Sequence, residues 1–331
     1  MRAAPSLMYL QAIPQFTEHF LDASDEGNES IDGGPTGGLN WDGRNDRGRD
    51  QARFPLLSPY EMANDSPATV VAKVEKTGYA AELRQLFGNS VFCDRDATFR
   101  AVLEALEVYQ QNYLEFYPYS SKFDGYLAGK VRLSAEESRG LEVFNDPAKG
   151  NCARCHISRR GSDGTPPQFT DYGFVALGVP RNPAIAANRN PAYFDLGLCG
   201  PLRTDLRERT DYCGLFMTPS LRNAAIRQTF FHNGVFHSLR EVLEFYSGRD
   251  TNPEKWYSRN NDGSVNKFDD LPPRYRANVN AELPFGRRPD EAPALSETEI
   301  NDLISFLQTL TDGYRMEKPE RANPSPIRAA N

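Results

Sequence analysis

Apolar positions recur at helical spacing in several separate stretches of this 331-residue chain. In residues 96–117 they fall three or four positions apart, which predicts one long helix with a buried face. That stripe consists of Phe99, Val102, Leu103, Leu106, Tyr109, Tyr113 and Leu114. A helical segment is also predicted over residues 66–88, where Ser66 can cap the helix and Pro67 occupies its first position.

Two further helices begin with the same capping box, a serine followed three residues later by a glutamate. Ser134 and Glu137 open the stretch "LSAEESRGLEVFN", and Ser296 and Glu299 open a helix that Gly313 is expected to end. The inner face of that last helix consists of Ile300, Leu303, Ile304, Leu307 and Leu310. A shorter helix is predicted in "SLREVLEFYSG", at residues 238–248.

The remaining stretches favour loops. Residues 17–50 and 157–220 are rich in turn-forming residues, and no part of the chain shows convincing strand alternation. The prediction is therefore a mainly α-helical protein with long loops. The formal net charge of −7 argues against a nucleic-acid surface, and no apolar run approaches the ~20 residues needed to cross a bilayer.

The sequence "CARCH" at residues 152–156 adds candidate chemistry to this pattern. Cys152, Cys155 and His156 form C-x-x-C-H, in which two thiols can each bond a vinyl group of one porphyrin and the histidine can ligate the iron. A thioredoxin-like redox pair would be expected near a βαβ pattern, and a zinc site would need a second ligand pair at suitable spacing. Covalently attached haem c is therefore the predicted cofactor.

The other three cysteines are Cys93, Cys199 and Cys213, and the last two bear on the cellular compartment. Cys199 and Cys213 flank a polar loop and are predicted to form a disulfide, with two unrelated thiols as the alternative. Cys93 is predicted to be a buried free thiol. Haem attachment and a disulfide both suit an exported, periplasmic protein. The start "MRAAPSLMYL" lacks the charged and apolar regions of a secretory signal, so a mature or trimmed chain is expected.

Taken together, these stretches resemble the bacterial di-haem cytochrome c peroxidase family, including its MauG-type branch. The resemblance runs in order through "RAAPSL", "WDGR", "QARFPLLSPYEMAN", "SSKFDGYL", "LSAEESRGLEVFN", "CARCH", "FTDYGFVALGVPRN", "MTPSLRNAAI", "FFHNGVFHSLREVLEFYSGRD" and "LSETEINDLISFLQTLTDG". It implies two cytochrome c-like domains with long loops. Residues 1–131 would be the remainder of an N-terminal, peroxide-handling domain, and residues 132–331 a C-terminal c-type haem domain.

Members of this family carry two haems, whereas this sequence contains one C-x-x-C-H, which matches the C-terminal motif. The N-terminal motif is expected upstream of Met1. The N-terminal domain is therefore expected to be incomplete, in a truncated chain or in a natural single-haem descendant. In the family, the N-terminal haem reacts with hydrogen peroxide and the C-terminal haem stores or delivers electrons.

The resemblance also assigns ligands to the iron. His156 is expected on one face and Tyr246 on the other, where the family uses Met, or Tyr in the MauG-type branch. Two alternatives remain: Tyr246 as a core aromatic of its helix, and Met217 as the ligand. Phenolate oxygen favours oxidised iron, whereas thioether sulfur favours ferrous iron.

Three residues match catalytic positions of the family. Trp41 matches the tryptophan between the two haems, with a loop anchor as the alternative interpretation. Glu61 matches the acid–base residue over the peroxide-binding haem, and Gln51 matches a neighbouring pocket residue. Glu61 can alternatively be a solvated acid at a helix start.

The family places calcium between its domains, partly through an Asn at the position of Ala3. This chain keeps only carbonyl oxygens near Thr218 and Pro219 as candidate calcium ligands. His232 is predicted to be buried and hydrogen-bonded within its "HNG" turn, and His237 is predicted to lie on the surface.

Three functions follow from these assignments. The first is an oxidoreductase of the di-haem peroxidase family, with hydrogen peroxide as oxidant and a redox partner protein. That partner is either a small cytochrome or cupredoxin donor, or a protein substrate as in the MauG-type branch. The second is a single-haem c-type electron carrier without catalysis. The third, a structural or signalling haem domain, leaves "WDGR" and "SPYEM" unexplained.

Overall fold

The computed structural model describes residues 2–18 and 34–315, and this part of the chain is mostly helical. Its α-helices are α1 (Gly48–Leu57), α2 (Pro67–Val74), α3 (Ala80–Phe87), α4 (Arg95–Tyr109), α5 (Tyr113–Phe116), α6 (Lys122–Leu127), α7 (Ala135–Asn145), α8 (Leu239–Gly248) and α9 (Glu297–Gln308). Two short strands, β1 (Phe174–Val175) and β2 (Phe216–Met217), pair antiparallel. No helix among the described residues is long and apolar enough to cross a membrane.

Helices α1, α2 and α4 pack together around a core of their own. The buried members of this core are Ala52, Leu56, Val70, Val71, Phe99 and Leu103. Ser66 caps α2 as predicted, since its hydroxyl accepts a hydrogen bond from the Thr69 amide at 3.2 Å. Helix α1 is not among the predicted elements: only its first three residues fall within the predicted loop over residues 17–50, and Pro55 lies inside the helix, where proline is unfavourable. Residues 19–33 of that loop lie outside the described residues.

Two predicted helices are each divided in the structure. The segment over residues 66–88 becomes α2 and α3, separated by a turn around Gly78. The segment over residues 96–117 becomes α4 and α5, because the Asn112 side chain accepts a hydrogen bond from the Leu114 amide and starts a new helix. The predicted buried stripe is therefore wrong at its end, where Tyr109, Tyr113 and Leu114 are exposed.

The largest core lies where α7 crosses α9. Gly140 of α7 permits the crossing, since a Cβ there would lie 2.0 Å from the Asp302 carbonyl oxygen of α9. Phe144, Phe169 and Phe306 fill the centre of this core. Phe123 of α6 packs into the same core, so residues before the predicted boundary at 131 contribute to it. The division into two cytochrome c-like domains stays a prediction.

The capping boxes predicted at α7 and α9 are both present, and α8 begins with a third box at Ser238. Helix α9 ends at Gln308 and is followed by a turn, so Gly313 does not end it directly. On its inner face Phe306 is fully buried, whereas Ile304 is only half-buried. The cluster around α8 is aromatic, with Phe236, Phe245 and Tyr257 buried.

Candidate haem site

The C-x-x-C-H residues lie on a tight turn that follows α7. Cys152–Arg154 form one turn of 3-10 helix, and the His156 amide donates to the Cys152 carbonyl at 2.8 Å. Gly150 packs closely against the end of α7, because a Cβ there would lie 2.7 Å from the Val143 carbonyl oxygen and 3.0 Å from the Cys152 sulfur. The main α7/α9 core therefore fixes the position of the motif.

Cys152, Cys155 and His156 line one deep cleft, which encloses about 1390 Å³ of space including the part open to solvent. Its walls are mostly apolar and come from distant parts of the chain. Among the wall residues are Val175, Leu177, Val179, Leu221, Phe230, Val242, Leu243, Leu303 and Leu307. Binding clefts for sizeable ligands are typically of this kind, apolar with a few polar groups. A flat, largely apolar porphyrin with an iron at its centre fits this lining and these donors.

His156 is held in the form that a metal ligand requires. Its Nδ1–H donates to the Phe169 carbonyl oxygen at 2.8 Å. Burial lowers the pKa of the imidazole to about 4, so the ring is neutral at physiological pH. The remaining nitrogen, Nε2, therefore carries a lone pair that can ligate iron, as in many metal-binding histidines whose other nitrogen is hydrogen-bonded.

Cys152 and Cys155 are free, half-buried thiols. Burial raises the pKa of each thiol to about 12, so both stay protonated at neutral pH. A reactive redox pair would instead need a lowered thiol pKa. No group of three or more His, Cys, Asp or Glu side chains in residues 2–18 and 34–315 is arranged to hold a metal ion. The site thus offers neither thioredoxin-like reactivity nor a complete zinc ligand set in the described residues.

The structure brings both candidate iron ligands, Tyr246 and Met217, to this cleft. The Tyr246 ring stacks on Phe231 and Phe285, with centroids 6.0 and 5.1 Å away and interplanar angles of 28° and 27°. Burial raises the pKa of the Tyr246 phenol. Met217 is buried on β2. Tyr246 as the ligand therefore stays a prediction, with Met217 as its rival.

Trp41 also lines the cleft and is half-buried. Its indole Nε1–H donates to the Ala3 carbonyl at 2.8 Å, and its own carbonyl accepts a hydrogen bond from the Met217 amide at 3.0 Å. Gly43, in the same turn, has φ +60°, and a Cβ there would lie 2.6 Å from the Gly37 carbonyl oxygen. Trp41 is thus both anchored in a tight turn and exposed to the cleft.

Glu61 and Gln51 are not among the residues that line this cleft. Glu61 is exposed in the turn after α1, and Gln51 is half-buried on α1 itself. The structure therefore brings together the predicted haem-binding residues and Trp41, but not these two. The acid–base role of Glu61 and the pocket role of Gln51 stay predictions.

A segment that sequence reasoning missed closes one side of the cleft. Asn280, Glu282, Leu283, Pro284 and Phe285 all line it. Asn151 donates through Nδ2 to the Leu283 carbonyl at 2.9 Å, and Arg154 pairs with Glu282 at 2.9 Å, so this segment is tied to the C-x-x-C-H turn. It has neither helical nor strand periodicity and no recognisable ligand-binding motif, so no sequence pattern indicates it.

The predictions for the remaining histidines and cysteines have mixed outcomes. His232 is buried, but its ring stacks on Phe216 at 3.5 Å, and its Nε2 lies 3.8 Å from Asp270 without a hydrogen bond. None of the hydrogen bonds described for His232 lies within its turn, so that part of the prediction is wrong. In the turn the Val235 amide donates to Asn233 Oδ1 at 3.2 Å, and Asn233 Nδ2 donates outward to the Pro180 carbonyl at 2.8 Å. His237 is exposed, as predicted.

Cys199 and Cys213 form a disulfide, which confirms that prediction. Cys93 is a free thiol but is exposed, so its predicted burial is wrong. It ends a short 3-10 turn between α3 and α4, and the neighbouring Val91 is buried instead.

The calcium ligand set implied by the resemblance is incomplete in this structure. Ala3 has no side-chain oxygen, and its carbonyl already accepts the Trp41 indole N–H. The Thr218 carbonyl accepts the Thr170 hydroxyl at 2.6 Å. These positions offer backbone carbonyl oxygens and no carboxylate, whereas calcium takes six to eight oxygen ligands. Calcium stays a prediction of the resemblance.

Comparisons with known proteins define the class to which this fold and cleft belong. A family model described as di-haem cytochrome c peroxidase matches residues 1–132. The methylamine utilization protein MauG of Paracoccus denitrificans is 31% identical over 318 residues, which cover 94% of this chain and 74% of that protein. The cytochrome c551 peroxidase of Nitrosomonas europaea is 27% identical, covering 62% of this chain and 52% of that protein.

The fold agrees with these sequence relationships. The crystal structure of the diheme peroxidase BthA from Burkholderia thailandensis is 41% identical and has a TM-score of 0.82, covering 94% of this chain and 72% of that one. The class is that of haem-dependent peroxidases. The chain belongs to the di-haem cytochrome c peroxidase and MauG family, whose members are oxidoreductases that act with peroxide.

Proposed function

We propose that this chain holds one haem c and passes electrons between it and a second, peroxide-reacting haem, with hydrogen peroxide as the oxidant. The observation that carries this proposal is the single cleft shared by Cys152, Cys155, His156, Tyr246 and Trp41. The two thiols on this turn would attach the haem, and the neutral imidazole would ligate its iron. Haem, when bound, supplies an iron that gains and loses single electrons.

The chain's own residues set how that iron behaves. His156 is oriented by the Phe169 carbonyl, so its Nε2 would be free to ligate the haem iron. We assign the second iron ligand to Tyr246, whose ring is held by Phe231 and Phe285. Binding would require loss of the phenol proton, because the ligand is the phenolate. An anionic oxygen stabilises the oxidised iron, which favours the MauG-type branch over a His/Met carrier.

Trp41 provides the proposed route for electrons out of the cleft. Its indole lies in the cleft wall, and its backbone is bonded to Met217 of β2. Electron exchange between two haems falls off with distance, so an aromatic side chain between them serves as a stepping point. We assign Glu61 to proton transfer with peroxide and Gln51 to the same pocket, as the family resemblance suggests.

The partner and the compartment follow from the same reasoning. The disulfide Cys199–Cys213 suits an oxidising compartment, which supports a periplasmic location. The redox partner is then a small cytochrome or cupredoxin donor, or a protein whose side chains are oxidised. The peroxidase and MauG relatives do not favour a carrier without catalysis.

The test uses protein purified from its native host, where haem attachment is complete. We expect peroxide consumption coupled to oxidation of an added electron donor, with about tenfold slower electron transfer in Trp41→Phe. Trp256→Phe is the matched control, since Trp256 packs on α8 outside the cleft and donates to the Gly248 carbonyl at 3.1 Å. One haem per polypeptide with no peroxide consumption would instead indicate the single-haem electron carrier.

A further inference from the structure

A buried guanidinium joins two carboxylates beside the Trp41 turn. Nη1 of Arg2 lies 2.7 Å from Oδ2 of Asp42. Nε and Nη2 of Arg2 donate to the two carboxylate oxygens of Asp195, each at 2.7 Å. The Arg2 side chain is 7% exposed, and those of Asp42 and Asp195 are 0% and 13% exposed. Arg2 therefore bridges two nearly buried anions that are far apart in sequence.

This bridge belongs to a small assembly that includes the cleft wall. Asp42 directly follows Trp41, and Ala3 directly follows Arg2. The Ala3 carbonyl accepts the Trp41 indole N–H at 2.8 Å, and the Ala3 amide donates to the His232 carbonyl at 2.8 Å. Residues 2 and 3 therefore hold Trp41 both through the Asp42 carboxylate and through the indole.

The charges in this assembly balance without a metal ion. Asp42 and Asp195 contribute two negative charges, and the guanidinium of Arg2 offsets them together with Arg44, which lies 2.9 Å from the other oxygen of Asp42. The guanidinium carbon of Arg2 also lies 5.4 Å from the centroid of the Phe216 ring, which covers the guanidinium on one side. Of the calcium ligands implied by the resemblance, the Asn side chain is replaced by that of Ala3, and the carbonyls of Ala3 and Thr218 already accept hydrogen bonds.

We propose that the guanidinium of Arg2 takes the place of a bridging divalent cation between Asp42 and Asp195, and that it thereby holds Trp41 at the haem cleft. Arg2 is a positioning residue in this arrangement. Its planar group bonds Asp195 with two parallel N–H groups, a geometry that a spherical ion does not provide. The proposal does not depend on the electron-transfer route assigned above.

Removing the Arg2 guanidinium leaves Asp195 without its ion-pair partner and Asp42 paired with Arg44. Two nearly buried carboxylates then face the same space with too little positive charge, and this arrangement destabilises the fold. It also offers carboxylate oxygens to a hard divalent cation. We therefore expect Arg2→Ala to convert a calcium-independent protein into a calcium-responsive one.

The experiment measures thermal unfolding and calcium binding of the haem-loaded full chain, with chelator or about 10 mM CaCl₂. The wild-type protein should bind no calcium, and its Tm should be the same with chelator as with CaCl₂. Arg2→Ala should lose about 10 °C in Tm with chelator. With calcium it should recover about 3 °C, consistent with a dissociation constant on the order of 1 mM. Arg2→Gln is the milder variant if Arg2→Ala does not fold with chelator.

Two controls separate bridging from general loss of an ion pair. Arg222→Ala removes a similarly buried guanidinium that pairs with one carboxylate, that of Asp124, at 2.9 and 3.0 Å, and donates through Nε to the Pro167 carbonyl at 2.9 Å, so calcium should not restore its Tm. Arg2→Ala combined with Asp42→Asn leaves one carboxylate and should also lose the calcium response. Arg2→Lys keeps a cation and should stay calcium-independent.

A second readout follows Trp41 itself. The chain has two tryptophans, so Trp256→Phe makes Trp41 the single emitter. In this background Arg2→Ala should shift Trp41 emission to longer wavelength and weaken its quenching by the haem, and calcium should partly reverse both changes. Calcium binding by wild type would overturn the proposal. So would a folded Arg2→Gln variant with no more calcium response than Arg222→Ala.

Discussion

The carbonyl oxygen of Phe169 accepts a hydrogen bond from Nδ1–H of His156 at 2.8 Å. Phe169 is fully buried, and its ring contacts Phe144 of α7 and Phe306 of α9. The orientation of the proposed axial ligand is therefore set by the core in which α7 crosses α9. A change in the packing of α7 against α9 should therefore alter the haem spectrum.

Gly140→Ala tests this connection. In a helix, replacing Gly by Ala ordinarily stabilises by up to about 1 kcal/mol. Here the added Cβ would lie 2.0 Å from the Asp302 carbonyl oxygen and 2.8 Å from the Phe306 Cβ, so α7 and α9 must move apart. We expect a net destabilisation of about 2 kcal/mol or more, measured by urea unfolding, together with an altered haem spectrum.

Gly78→Ala is the matched control for that variant. A Cβ at Gly78 would meet nothing within 4 Å, so stability should change by less than about 0.5 kcal/mol. Equal stability of the Gly140→Ala protein and wild type would show that the crossing is looser than these contacts indicate.

Covalent haem attachment depends on Cys152 and Cys155. With both replaced by alanine, denatured protein should have the mass of the polypeptide alone, whereas wild type should retain the mass of one haem. Cys93→Ser is the control, because Cys93 is an exposed free thiol outside the cleft and its loss should leave attachment intact. Haem that survives denaturation in the double variant would contradict the assignment.

Tyr246→Phe and Met217→Leu decide between the two candidate ligands. The Tyr246→Phe substitution removes only one oxygen, so the ring contacts with Phe231 and Phe285 should persist while the iron loses a ligand. The spectrum should become high-spin and the reduction potential should rise, since an anionic oxygen that favours Fe(III) is lost. Met217→Leu should leave both properties unchanged. The reverse pattern would assign the haem to His/Met ligation and Tyr246 to core packing.

Much of the helical fold could be predicted because its signals are local. Ser134 and Ser296 each place a hydroxyl and a glutamate within one turn, and the structure contains both boxes. The break after Tyr109 was missed because the apolar spacing continues across it, while the Asn112 cap that causes it is a single polar contact. Apolar spacing alone does not show whether a neighbouring element covers the stripe.

The site was predictable only where chemistry is encoded in a motif or a resemblance. Cys152, Cys155 and His156 were found in this way, and the structure places them in one cleft with Tyr246 and Trp41. The wall at residues 280–285 carries no such pattern. Its position depends on contacts with the C-x-x-C-H turn from more than 100 residues away, which local sequence cannot reveal.

The disulfide between Cys199 and Cys213 should contribute measurably to stability. It closes a loop with a sequence separation of 14 residues, for which the chain-entropy model gives roughly 3 kcal/mol. We expect the Cys199→Ser, Cys213→Ser double variant to unfold at lower urea concentration, and reductant to have little further effect on it. Both cysteines alkylating in native, unreduced protein would show that the bond is absent. Cys93→Ser controls for loss of a thiol elsewhere.

Asp250 should give the protein an acid-sensitive contribution to stability. Burial by itself would raise the pKa of Asp250, but the hydrogen bonds and charge of Arg249, with those of Lys267 and the Gly286 amide, outweigh burial and lower this pKa to about 2. Arg249 Nη2 and Lys267 Nζ lie 2.6 and 2.7 Å from the carboxylate. An unfolded Asp has a pKa near 3.9. The ionised group is therefore more favourable in the folded state.

Because the folded pKa is the lower one, this contribution is complete above about pH 5 and is lost as the pH falls towards 2. The size of this contribution is on the order of 2–3 kcal/mol. Asp250→Asn should therefore lower the free energy of unfolding at pH 7. The difference in this free energy between wild type and the variant should become smaller as the pH falls from 5 to 2. Urea unfolding across this range measures that difference. Asp290→Asn is the control, since the Asp290 side chain is 77% exposed, and its free energy of unfolding should follow that of wild type across the same pH range. A constant gap between Asp250→Asn and wild type from pH 7 to 2 would show that the carboxylate charge is not what stabilises this site.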